Sequence, residues 1–91
     1  MELKTEQLEK IGEYAGLLFK ISDIALLIDI DPDELRQEIS NKNSDISKIY
    51  YKSKLHVIKK LRAQEIEQAE LGSNTAIELV TQYIQEQKID E

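Results

Sequence analysis

The chain has 91 residues, 12 basic and 18 acidic side chains for a net charge of −6, a single histidine (His56), a single proline and no cysteine. One domain follows from that length, burying only about 60% of the surface its unfolded form exposes, and the absent cysteines exclude disulfides and thiolate metal sites. No apolar run reaches the roughly eighteen residues of a membrane span, and MELKTEQLEK is neither a signal peptide nor a transit peptide, so a soluble protein is expected. The apolar residues fall at helical spacing, which predicts an all-α fold.

Residues 5–19, TEQLEKIGEYAGLLF, read as a first helix. Thr5 is its candidate cap, and Leu8, Ile11, Ala15 and Leu18 form a stripe with Tyr14 and Phe19 beside it. Gly12 and Gly16 each cost about 1 kcal/mol in a helix interior, and close packing by another helix is the expected reason.

The next stretch, Ile21 to Ser40, reads as two short helices joined by a tight turn, a helix-turn-helix that completes a tri-helical unit. Ser22 is a candidate cap for the first of these, with Ile24, Ala25, Leu27 and Ile28 as its apolar face, and Ala25 small enough to let two steeply crossed helices approach. Asp29 and Ile30 make the turn, and Ile30 plugs the corner. Asp31 caps the following helix with Pro32 at its first position, and Leu35 and Ile39 form its buried side.

Residues 40–47 are polar and turn-forming. From Ile46 to Leu71 no breaker occurs, so one helix of about 26 residues and about 39 Å is expected, capped by Ser44 or Asp45. Gly72 stops it, and Ser73 or Asn74 caps a last amphipathic helix that folds back as a hairpin and frays over 88–91. The apolar face of that helix is wider than one neighbour covers, which predicts self-association through Leu61, Ile66, Leu79, Val80, Tyr83 and Ile84. The organisation expected is a helix-turn-helix unit over 1–45 and an oligomerisation region over 46–91.

Charge is segregated along the chain: residues 1–47 and 63–91 each carry −6, whereas residues 48–62 carry +6. The long helix is therefore basic in its first half, and such a window is an electrostatic footprint for nucleic acid. Candidate DNA contacts are Arg36, Gln37, Ser40, Asn41 and Lys42, at the less acidic end of the second short helix and its loop. Lys48, Tyr51, Lys52 and Lys59 follow on the basic helix. Five acids from Asp29 to Glu38 oppose this, because they would repel phosphates. A solvated lysine face, or pairing with the acidic block of a neighbouring subunit, would account for the lysines equally.

The rest of the chain offers no chemistry. His56 has no nucleophile beside it, the acids around Asp29 to Glu34 lack the spacing of a calcium loop, and no phosphate-binding glycine loop is present. No catalytic residue, metal or cofactor is expected.

Ile24, Ala25, Ile28 and Leu35, then Tyr51 and the basic helix, then the Leu71-Gly72-Ser73-Asn74-Thr75-Ala76 junction into a final amphipathic helix together resemble the helix-turn-helix small terminase subunits of tailed bacteriophages and related short prophage proteins. The resemblance covers about residues 20–87. It implies a cytoplasmic, non-enzymatic protein of a bacterial host cell that assembles as a homo-oligomer, recognises double-stranded viral DNA and delivers it to a large terminase subunit. The chain departs from the pattern in having Asp29 where glycine is frequent, in lacking a tryptophan in the last helix, and in ending soon after that helix, where such proteins often continue into a segment contacting the large subunit. Two alternatives remain open: a dimeric prophage helix-turn-helix regulator, and an acidic helical adaptor that binds only protein.

Overall fold

The structure, a computed structural model, describes residues 2–90. Among them are five α-helices and no strand: α1 (Thr5–Gly16), α2 (Ile21–Leu27), α3 (Pro32–Ser40), α4 (Asp45–Glu70) and α5 (Asn74–Asp90). The chain divides into two compact units, one extending to Val57 and one starting at Ile58, so α4 contributes to both. The first unit is larger than the expected 1–45 because the opening turns of α4 supply Ile46 and Tyr50 to its core.

That core consists of Ile11 and Ala15 from α1, Ile24 and Ala25 from α2, Leu35 and Ile39 from α3, and Ile46 and Tyr50 from α4. Ala25 is fully buried where α2 packs on α3, and Ile30 packs against the core from the corner between them. Gly12 lies where α1 comes close to α4: a Cβ there would stand 3.2 Å from Ser53 Oγ and 3.3 Å from Ile49 Cγ2. Gly16 has more room, with Val57 Cγ2 at 3.8 Å.

Helix ends explain where the chain turns. Asp31 caps α3 by accepting the Glu34 amide at 3.1 Å, with Pro32 in the first helical position where no amide hydrogen is needed. Ser44 caps α4: its Oγ accepts the Ser47 amide at 3.1 Å and donates to the Glu38 carbonyl at 2.8 Å. Buried Ser47 donates its own hydroxyl to the Ile39 carbonyl at 2.7 Å. Two serines thus tie the start of α4 to the end of α3.

Two expected caps are replaced. Lys4, not Thr5, precedes α1, and its amide donates to Gln7 Oε1 at 2.9 Å, leaving Thr5 as the first helical residue. Lys20, not Ser22, precedes α2, where no side chain caps the helix, and Ser22 is already its second residue.

The helix expected over 5–19 stops at Gly16, because Leu18 turns left-handed at φ 65°. The Leu18 amide donates to the Ala15 carbonyl at 3.0 Å and the Phe19 amide to that of Tyr14 at 3.2 Å. The Phe19 ring meets the Tyr14 ring edge-on at 6.1 Å. This pair of bonds with an apolar contact across the last turn is a Schellman ending. It takes Leu18 off the α1 stripe and leaves it 45% exposed. Leu27, expected on the buried face of α2, is likewise exposed at the end of its helix.

The same bond pattern recurs twice. At Asp29, φ 57°, the amide donates to the Leu26 carbonyl at 3.4 Å and that of Ile30 to Ala25 at 2.9 Å. At Gly72, φ 95°, the corresponding bonds run to Ala69 at 3.0 Å and from Ser73 to Gln68 at 3.1 Å. Glycine occupies one of these three left-handed positions, and leucine and aspartate carry the steric cost at the other two.

In the second unit α5 runs back along α4. Arg62 places its guanidinium 4.3 Å from the centre of the Tyr83 ring and 3.2 Å from Glu86 Oε2. Ser73 caps α5 through the Ala76 amide at 3.3 Å. Lys88, Ile89 and Asp90, expected to fray, continue α5, while Glu91 lies outside the described residues.

Two substitutions test these packing arguments by urea unfolding. Gly12→Val drives a branched side chain into Ser53 and Ile49 and is expected to lower stability by about 1–3 kcal/mol. Leu18→Gly removes the left-handed penalty of a half-exposed residue and is expected to raise stability by about 0.5–1 kcal/mol.

Candidate nucleic-acid interface

The first unit gathers several of its cations along one face. Three shallow hollows of about 350, 380 and 370 Å³ adjoin one another, sharing Ile21, Arg36 and Tyr51 along their edges. The first is lined by Lys20 and Ser22 from the start of α2, Arg36 from α3, and Tyr50 and Lys54 from α4. The second is floored by Ile21 and Ile39 and edged by Arg36, Gln37, Ser40 and Tyr51. The third holds Lys42, Ser47, Lys48, Tyr51 and Leu55. Among the described residues five cations line this trough and no carboxylate does, in a chain whose net charge is −6.

Two other hollows of the same unit have the opposite character. One is lined by Glu2, Glu38 and Asp45 together with Leu3, Leu8 and Ile46. The other is lined by Glu6 and Asp29, with Lys10 beside them. Lys10 is already engaged: it lies 3.1 Å from Glu13, and that hydrogen bond holds its ammonium above the ordinary lysine range.

Within the trough several side chains are oriented by neighbours. Lys54 Nζ stands 5.6 Å from the centre of the Tyr50 ring, and Tyr50 meets Tyr51 edge-on at 5.1 Å. The buried Tyr50 thus positions both a cation and an exposed aromatic ring. Arg36 bonds Asp33 Oδ1 at 3.0 Å, with both side chains more than half exposed. Such a pair is worth little in water and exchanges readily for a phosphate.

Of the sequence candidates, Arg36, Gln37, Ser40, Lys42, Lys48 and Tyr51 come together along the trough. Asn41 lies outside its lining and closes a local turn, accepting the Asn43 amide at 3.2 Å. Lys52 is exposed on α4 outside the lining, and Lys59 belongs to the second unit. Lys20, Ser22 and Lys54 also line the trough and are not among the sequence candidates. Lys54 is visible within the basic window, but Lys20 is an isolated lysine that only the packing of α2 against the rest of the unit brings to this face.

Among the oligomerisation candidates, Leu79, Val80 and Tyr83 are half-buried along α5, whereas Leu61, Ile66 and Ile84 are exposed. Among the described residues no three His, Asp or Glu side chains cluster to hold a metal ion, and no helix is long and apolar enough to cross a membrane.

No family model matches the chain, and neither a curated protein nor a solved structure is significantly similar to it.

Proposed function

We propose that the first unit is a helix-turn-helix module that holds double-stranded DNA by its phosphate backbone along the basic trough. The chain would then serve as a DNA-binding, self-associating component of a bacteriophage packaging complex, in the manner of a small terminase subunit. The observation that carries the DNA reading is the concentration of Lys20, Arg36, Lys42, Lys48 and Lys54 on one face that no carboxylate lines.

The acidic start of α3 shapes the mode of binding. Asp31, Asp33 and Glu34 stand at its first turn, the end that a recognition helix commonly points into the major groove. Insertion that way would set three carboxylates against phosphates. The trough instead uses the second half of α3, the start of α2 and the first turns of α4, a geometry suited to tracking a backbone. Affinity on this reading is mostly electrostatic and only weakly dependent on sequence. Gln37 and Ser40 are uncharged polar side chains of α3 in the trough and, on this reading, candidates to reach a base edge. The packaging role rests on the resemblance of residues 20–87, and the second unit supplies the self-association it requires.

Fluorescence anisotropy on a labelled duplex across a salt series tests the module. Replacing Lys42, Lys48 and Lys54 together by glutamine is expected to weaken binding to every duplex and to flatten the dependence of log K on log salt by about 0.9 for each phosphate no longer neutralised. Lys10→Gln, on the acidic side, is expected to leave affinity unchanged. Asp33→Asn frees Arg36 and is expected to strengthen binding a few-fold. Affinity indifferent to the triple change would overturn the reading and leave the protein-only adaptor.

A further inference from the structure

Among the described residues the second unit leaves one apolar face partly exposed. On α4 the half-buried residues Ile58, Arg62, Glu65 and Ala69 mark the side turned to α5, and on α5 the corresponding residues are Ala76, Leu79, Val80 and Tyr83. Each residue advances about 100° around its helix. Ile66 therefore falls to one side of the first row, and Ile77 and Ile84 to one side of the second. Because α4 and α5 are both right-handed and run antiparallel, these are the same side of the hairpin.

The Arg62 contacts to Tyr83 and Glu86 fix the relative level of the two helices. Ile66 sits between the levels of Ile77 and Ile84, so the three form one apolar triangle, and they are 44%, 44% and 50% exposed. The same arithmetic puts Glu70 on this face near the Gly72 turn, and Lys59 and Lys88 at its open end.

We propose that this face is where two copies of the chain associate, packed antiparallel about a two-fold axis that passes close to Ile66. The charges select both occupant and orientation. Turned antiparallel, α4 lies on α4 of the other copy, Ile66 meets Ile66, Ile77 meets Ile84, and Glu70 meets Lys59 at both ends. Turned parallel, Lys59 falls on Lys88 of the other copy and Glu70 loses its partner. The face is thus complementary to itself in one of the two orientations, as an isologous contact requires, and the rim charges set orientation more than strength. This proposal names the surface for the self-association assumed above and stands independently of the DNA reading. A contact of this kind closes at two copies, so a ring would be a ring of dimers joined by a separate surface.

Sedimentation velocity on the full chain without DNA, from about 5 μM to about 500 μM, tests it, since a face this small suits a micromolar association. The expected result is a monomer–dimer equilibrium that Ile84→Asp shifts at least tenfold toward monomer, with helical circular dichroism retained. Lys59→Glu is expected to weaken the dimer several-fold and Lys59→Glu with Glu70→Lys to restore it. A chain that stays monomeric throughout, a dimer indifferent to Ile84→Asp, or a charge swap that fails to restore association would overturn the proposal. Exposed Lys59 and Glu70 make no contact on which folding depends, so the swap keeps the test decisive even if Ile84→Asp unfolds the hairpin. Loss of DNA affinity in the trough variant with the dimer intact would separate the two readings.

Discussion

The first unit depends on how closely α4 can approach α1. Gly12 leaves room for Ser53 and Ile49 at distances a side chain would fill, and that room lets Tyr50 and Ile46 reach a core otherwise built by α1, α2 and α3. Ser44 and Ser47 then tie the first turn of α4 to the last carbonyls of α3. With α4 held on both sides, Lys48, Tyr51 and Lys54 are carried onto the face where Lys20 and Arg36 already stand. The helix propensity lost at one glycine is thus offset by packing, and the packing creates the electrostatic surface.

Charge distribution gives that surface its meaning. A protein of net charge −6 would be a poor partner for a polyanion if its charges were spread evenly. Here five carboxylates of the first unit, Glu2, Glu38, Asp45, Glu6 and Asp29, line separate hollows, while the trough is lined by five cations and, among the described residues, by no carboxylate, Asp33 reaching it only through its bond to Arg36. The carboxylates at the start of α3 serve as a cap and favourable first-turn charges. Local helix energetics therefore accounts for acids that would otherwise argue against the proposed DNA reading, on which they restrict the approach to the second half of α3.

The second unit is organised differently. A two-helix hairpin has little interior, and here Ala76 is buried while Arg62 and Glu65 occupy half-buried positions facing α5. Arg62 is accommodated by lying on Tyr83 and pairing with Glu86, which covers its planar face and satisfies part of its charge. The isoleucines that would have filled a larger core remain outside, on one side of the hairpin.

Much of this architecture is legible in the amino-acid sequence. Helix content, the aspartate cap with proline behind it, the glycine stop at 72, the 26-residue length of α4 to within one residue at each end and the buried set Ile11, Ala15, Ile24, Ala25, Leu35 and Ile39 all follow from periodicity and capping chemistry, which act over one or two turns, and the structure chooses Ser44 over Asp45 and Ser73 over Asn74 as caps. Tertiary structure alone decided where α1 ends, because the Leu18 turn is secured by the Phe19 ring on Tyr14 and no glycine announces it. It also decided which cations share a face. Lys20 and Lys54 meet only when two distant segments pack together, and Lys52 falls outside the lining because one helical step turns a side chain about 100° away. Propensity is a property of neighbours in the chain, whereas a site is a property of neighbours in space.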